Sequence, residues 1–323
     1  MGHIIRLLAG HATVVVSGTK IAQEIGASRS AVWRFVQQLR ALGVEIAGHP
    51  TTGYQLKTVP DLLLPEVLAP MLKGTLFAAR IHHYFRTGST NAEALAAAAA
   101  GEPEGSVFLA EEQTSGRGRG GQGWHSEKSA GIYVSVLLRP AMAPAEILLL
   151  TLASGLAART AVKHVTGLEA DLRWPNDLLL GEKKFCGILA EMHAEATRVR
   201  YVVVGIGLNV NHERLPADLR STATSLRLAT GRTWSRVELT AALLKALDRE
   251  YRALTAPDAP AARESVLRRF VESSSYARGK AVRVDENGGF EGITDGLDAH
   301  GFLKVRTEQG WRTVLSGGVR AVE

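Results

Sequence analysis

The sequence predicts an α+β protein in three parts: an N-terminal winged helix-turn-helix, a central mixed β-sheet packed with helices, and a small C-terminal β-barrel. Two short helical patterns separated by a tight turn run into a Gly-punctuated hairpin before residue 57. The middle alternates strand-like runs with long helical stretches, and the chain from 275 onward breaks into short alternating segments divided by Gly, Asp and Asn. The 323-residue length fits, since domains average roughly 150 residues and one of the three is small. The boundaries read as 1–65, 66–274 and 275–323.

Taken in order, Ile4, Ile5, Leu7 and Leu8 form a first apolar helical stripe. Arg6, Gly10 and His11 interrupt it and no small-residue cleavage site follows, which argues against a signal peptide. Residues 19–25 read as a second helix stopped by Gly26. Ser28 can cap a third whose apolar face is Ala31, Val32, Phe35, Val36, Leu39 and Leu42, with Gly43 closing it. Residues 44–46 and 54–56 alternate like wing strands. The outer face of the third helix carries Arg29, Ser30, Trp33, Arg34, Gln37 and Arg40, donors suited to phosphates and base edges; a solvated amphipathic helix is the plainer alternative.

DLLLPEVLAP, with prolines at 60, 65 and 70, reads as a linker. After it come a strand at 81–85, an Ala-rich helix at 91–100, strands at 107–111 and 131–138, and an apolar helix at 144–165. The runs DLRWPNDLLL, KFCGILAEM and YVVVGIGLNV read as strands, the first two joined at Gly181-Glu182, and helices cover 235–254 and 260–272.

Composition removes several classes. One cysteine rules out an internal disulfide and a Cys-based zinc site, and favours a reducing, cytoplasmic setting. No apolar run approaches the roughly 18 residues of a bilayer span. Lys and Arg exceed Asp and Glu by 38 to 32, a net charge of +6 that permits phosphate contact.

Four segments carry chemistry. Thr114 to Trp124 reads TSGRGRGGQGW, whose glycines free the backbone for positive φ while Arg117 and Arg119 present guanidinium forks to a phosphate or carboxylate. Gly88-Ser89-Thr90-Asn91 precedes the Ala-rich helix, with Glu93 placed to complete a Thr-x-x-Glu capping box. Arg173-Trp-Pro-Asn-Asp177 fixes a polar pair at a strand that Pro175 makes an edge or a bulge. Lys183 and Lys184 then enter Phe185-Cys186-Gly187-Ile188, and alternation alone leaves open which lysine points inward. Gly205-x-Gly207 lacks the third glycine and the following helix of a dinucleotide fingerprint.

The ordered set GSTN, EEQTSGRGRGGQGW, RWPND, KKFCGIL and GIGLNVN resembles biotin protein ligases of the bifunctional bacterial type that also repress a biotin operon. The resemblance runs along nearly the whole chain, because residues 17–56 look like that type's winged module and the C-terminal segment like its SH3-like cap. It implies a class II synthetase-like catalytic fold. Biotin and ATP would give biotinyl-5′-adenylate with Mg2+ present, and biotin would pass to one lysine of a biotin carboxyl carrier domain of acetyl-CoA carboxylase or a related enzyme. By position it implies that Ser89, Thr90, Asn91, Gln113, Gly116, Arg117, Gly118, Arg119, Lys184 and Gly187 bind biotin. Arg117, Arg119, Trp124, Asn176, Lys184, Asn209 and Arg320 would hold ATP and the adenylate.

The same resemblance makes Lys184, Asp177 and Arg119 the catalytic groups, with Asp177 near magnesium, and gives DNA contacts to Ser28, Arg29, Ser30, Trp33 and Arg34. It further implies operator DNA as a partner, a homodimer when adenylate is bound, a cytoplasmic location and no membrane. A biotin sensor without ligase chemistry and a ligase for another acid such as lipoate are the alternatives. Three residues depart from the family pattern: Gly120 and Gln122 where arginines are common, and Arg173 where lysine is usual. The first two predict a weaker hold on the adenylate.

Overall fold

Ile4, Ile5 and Leu8 turn inward from α1 (Gly2–Ala9) onto α2 (Gly18–Glu24) and α3 (Arg29–Ala41), where Ile21, Val32, Val36 and Leu39 complete a small core of their own. The computed structural model describes residues 2–9, 15–41, 44–49, 52–57, 61–257, 259–286 and 288–322. Ser17 and Ser28 begin the second and third helices, their hydroxyl oxygens accepting from the amides of Lys20 (3.1 Å) and Ala31 (3.2 Å). The wing is the antiparallel pair β1 (Ile46–His49) and β2 (Gly53–Leu56), with Ile46 opposite Leu56. Arg40, expected on the outer face, instead donates from Nε and Nη2 to the Ile46 carbonyl at 3.0 and 2.8 Å and ties α3 to the wing. The expected closure at Gly43 and Pro60 of the expected linker lie outside the described residues.

The linker reading fails over the rest of its length. Leu62 and Leu64 are buried in the first core, Leu63 between them is buried in the main core, and α4 (Pro65–Met71) follows with Leu68 fully buried. Proline at a first helical position gives up an N–H that has no partner there, so Pro65 starts this helix where it was expected to end order.

The central sheet contains β3 (Ile81–Tyr84), β4 (Val107–Ala110), β5 (Gly131–Leu138), β6 (Asp171–Arg173), β7 (Asp177–Leu180), β8 (Lys183–Ala194) and β9 (Val199–Asn209). Their order is β3-β4-β5-β9-β8-β7-β6, parallel at β3–β4 and antiparallel elsewhere, so the sheet is mixed as expected. The single strand expected at 171–180 is two, because the cis Trp174–Pro175 bond turns the chain and sets Arg173 opposite Asp177 at the sheet edge. On one face α5 (Thr90–Ala99) packs Ala94 and Ala98 against Phe108, Leu137 and Val203. The other face is covered by α6 (Ile147–Thr166), α8 (Arg236–Thr255) and α9 (Ala259–Glu272), while α7 (Leu226–Thr230) is a short helix the sequence reading missed. Contrary to expectation, the stretch Pro144–Thr166 is long and apolar enough to cross a bilayer; with 72% of its most apolar window buried inside the protein, it is the core helix.

The last strands, β10 (Arg278–Val284), β11 (Phe290–Leu297), β12 (Leu303–Thr307), β13 (Gly310–Val314) and β14 (Val319–Ala321), form an antiparallel sheet ordered β13-β12-β11-β10-β14. Val282, Val284, Leu303 and Val305 join the main core, and the buried Trp174 indole donates to the Gly301 carbonyl at 2.9 Å. The cis turn is therefore pinned from the C-terminal sheet.

Candidate active site

A cleft opens where the start of α5, the glycine-rich loop and strands β8 and β9 meet. Its neutral end is a hydrogen-bonded chain. Ser89, Thr90 and Asn91 are each 4% exposed. The Thr90 amide and hydroxyl both donate to Gln113 Oε1 (2.8 and 3.1 Å), and Gln113 Nε2 donates to Ser126 Oγ (2.8 Å). Ser135 Oγ lies 2.8 Å from Thr90 Oγ1 and donates to Asn91 Oδ1 at 2.6 Å, while Asn91 Nδ2 donates to Glu191 at 2.7 Å. The expected capping box does not form: Glu93 accepts from the Thr87 hydroxyl, and Gln113, from another segment, caps α5. Thr90, Asn91 and Gln113 are thus each held by a neighbouring side chain.

The opposite end is cationic. Gly118 N–H donates to the Gln122 carbonyl (2.7 Å) and Trp124 N–H to the Gly116 carbonyl (2.8 Å), folding the loop back on itself through Gly120 and Gly121 at φ +64° and +77°. This presents Arg117 and Arg119 to the cleft. Arg119 donates to Asn176 Oδ1 at 3.2 Å and to the Gly317 carbonyl at 3.5 Å; burial lowers its pKa while the Asp177 charge opposes that shift. Asn176 in turn donates to the Ile188 carbonyl at 2.7 Å. Lys184 Nζ stands 2.5 Å from Asp177 Oδ1 and 5.3 Å from the Trp124 ring centroid, whereas Lys183 donates outward to the Arg220 carbonyl. The inward lysine is Lys184.

The floor is made of glycines. Gly187 on β8 faces Gly207 on β9. A Cβ on Gly207 would fall 2.4 Å from the Trp124 indole, one on Gly187 2.9 Å from Trp124 and Lys184, and one on Gly205 2.0 Å from Asn91 Oδ1. The indole lies on bare backbone. Its Nε1 is buried with no acceptor among the described residues, a costly state for a donor.

The remaining expected residues divide. Gly118, Gly187 and Asn176 line the cleft; Gly116 sits behind it under the Trp124 carbonyl, and Asn209 donates to the Thr224 carbonyl at 3.0 Å outside the lining. Arg320 is 70% exposed on β14, 3.6 Å from Asp285, and is not brought to the cleft. Both carboxylate oxygens of Asp177 are faced by cations here, Lys184 at one and Arg173 Nη2, at 2.7 Å, at the other. Cys186 is packed in the core, its thiol pushed up to about 12 by burial, and is not a nucleophile. Tyr133, Val134, Leu189, Gly205 and Gly207 line the cleft without having been singled out in its lining. A glycine inside a strand signals close approach, so the Gly205-x-Gly207 pair held the available clue.

Residues 86–209 match the model of the Biotin/lipoate A/B protein ligase family, and residues 2–55 an HTH domain. Along 98% of its length the chain is 33% identical to the bifunctional ligase/repressor BirA of Bacillus spizizenii, of which it spans 97%. The chain belongs to the bifunctional ligase/repressors of the biotin protein ligase family. Other biotin protein ligases agree: the biotin acetyl-CoA-carboxylase ligase of Mycobacterium tuberculosis is 36% identical over 237 residues, 71% of this chain and 84% of that one. The solved biotin protein ligase of Aquifex aeolicus in complex with biotin and ATP superposes with a TM-score of 0.64 at 28% identity, over 76% of this chain and 100% of that structure.

Proposed function

We infer that this protein is a biotin protein ligase that activates biotin with ATP to the adenylate at the cleft, releasing pyrophosphate, and transfers it to a carrier lysine, releasing AMP, and that its N-terminal module makes it a DNA-binding repressor. The observation that carries this is one cleft whose fixed neutral donors and acceptors face three cations across a glycine floor. A ureido ring offers both N–H donors and a carbonyl acceptor, and the Ser89 to Asn91, Gln113 and Ser135 chain can answer each. The second step of the argument is charge. A biotin carboxylate must approach an α-phosphate, and Arg117, Arg119 and Lys184 offset their repulsion and the charge that develops; one placed donor of this kind is worth roughly 3 kcal/mol.

Lys184 and Asp177 form a pair that substrate separates. When Lys184 turns to the arriving anion it leaves Asp177 Oδ1 free, and that carboxylate accepts the proton of the carrier lysine, whose free amine at pH 7 costs about 4.6 kcal/mol. The loop closed over the cleft excludes water from the acyl adenylate. Magnesium would accompany the ATP phosphates, with Asp177 the carboxylate nearest to hold it, and no step here runs through it. The C-terminal sheet is read as an SH3-like cap holding the Asn176–Asp177 turn. The carrier domain, operator DNA and an adenylate-bound homodimer in the cytoplasm complete the reading, with the module boundaries at 65 and 274.

Incubation with biotin, magnesium ATP and a carrier domain, with mass detection of adenylate and modified lysine, tests it. Both masses are expected, and absence of both ends the ligase reading; lipoate that suppresses the biotin product at equal concentration redirects it.

A further inference from the structure

Immediately after Trp124, at the base of the glycine-rich loop, His125 and Glu127 face His212 from the segment that follows β9. One ligand atom from each lies within 4.8 Å of the other two, and His125 Nε2 is 3.9 Å from Glu127 Oε2. His212 is fully buried, and its Nδ1 has no hydrogen-bond partner among the described residues. The reason is visible next door. Tyr133 gives its hydroxyl proton to the Glu127 carbonyl at 2.9 Å, so toward His212 Nε2, 3.3 Å away, that oxygen accepts. The proton of His212 is thereby placed on Nε2, and Nδ1 is left as a bare lone pair.

We propose that His125, Glu127 and His212 form a site for one divalent transition metal of the zinc class, which fastens the base of the glycine-rich loop to the end of β9. Two imidazoles and one carboxylate are a donor set that zinc accepts, with a fourth position left to water. Ligand atoms at about 2.0–2.1 Å from a tetrahedral metal stand some 3.4 Å apart, so the site needs only a small contraction. His125 and Glu127 are 36% and 47% exposed and free to supply it, and they give the ion its way in. Tyr133 stands as the outer partner that orients a metal-bound imidazole. Burial, with the charges of His125 and Arg236, lowers the His212 pKa to about 4, so the ring is neutral in neutral solution. Arg236, whose charge acts on His212, is itself paired with Glu111 at 2.8 Å. No residue of this site lines the substrate cleft except Tyr133, through its other face.

The test uses the full chain without a polyhistidine tag, titrated with Zn2+ alone and with Co2+, whose visible spectrum reports coordination. One equivalent should bind, with a tetrahedral Co2+ spectrum, and His125→Asn and Glu127→Gln should each weaken it at least tenfold. Those two positions are partly exposed, so their folding temperature should not move without metal. Bound Zn2+ should also protect residues 114–124 from limited proteolysis in the wild type and not in His125→Asn. Failure of the wild type to bind, or binding unchanged in both variants, overturns the site.

Discussion

At the residue scale the chemistry rests on Lys184, and removing its charge is the sharpest test. Lys184→Gln is expected to slow adenylate formation by roughly 10²–10³ with little change in melting temperature, since the side chain is partly exposed and Asp177 keeps its pairing with Arg173. Asp177→Asn separates the half-reactions: transfer from preformed adenylate should fall more than adenylate synthesis, and equal transfer rates in a single-turnover assay would refute its role. Gln122 is the position for testing the two missing loop arginines. Its backbone is extended, whereas Gly120 is left-handed and would resist a side chain by about 1 kcal/mol. Gln122→Arg is therefore expected to slow adenylate release in stopped-flow measurement, while Gly120→Arg mixes charge with strain. GSTN, GRGR and WPND were legible as words in the sequence. The choice between Lys183 and Lys184 came from the resemblance and not from alternation, because it depends on a register shift between Leu178 and Leu179 in the pairing with β7 that no alternation pattern records.

Elements explain where the reading failed. Prolines at 65 and 70 read as punctuation, but the leucines beside them have two cores to enter. Trp124 over Gly187 and Gly207 was equally hidden, since that stacking joins a loop to strands more than 60 residues further along. The same holds for the buried network at the start of α8. Arg236 donates to Glu111 Oε2 (2.8 Å) and the Gly131 carbonyl (3.1 Å) and pairs with Asp61, while the Leu63 amide donates to Glu111 Oε1 at 2.9 Å. Burial alone would raise the Glu111 pKa, yet hydrogen bonding from His83, the Arg236 charge and the Leu63 amide bring it down to about 2. A folded pKa below the unfolded value of 4.5 gives stability that is present above pH 4.5 and lost as the pH falls toward 2. Urea melts at pH 3 and pH 6 should differ accordingly, and Glu111→Gln should flatten that difference while costing about 3 kcal/mol at pH 6, because buried Arg236 then keeps only the partly exposed Asp61 as a charge partner.

For the whole molecule, the +6 charge is uneven: residues 1–65 carry six Lys and Arg against three Asp and Glu. Arg29, Ser30, Trp33 and Arg34 are exposed on α3, as a groove-reading helix requires. Arg34→Ala should weaken operator binding and lower the slope of log affinity against log salt by about 1 if it meets one phosphate; an unchanged slope would move the contact elsewhere. The three-part order of the chain was legible from punctuation and periodicity, but its cohesion was not. The C-terminal valines share one core with the central sheet, and the N-terminal core is sewn to it by Leu62, Leu63 and Leu64. Those three leucines divide one short stretch between two cores, Leu62 and Leu64 in the first and Leu63 in the main one, with the Leu64 amide donating to the Leu62 carbonyl at 2.9 Å. A residue inserted or deleted there would cost the DNA-reading and ligating halves of this protein their shared hold, together with that of Asp61 on Arg236.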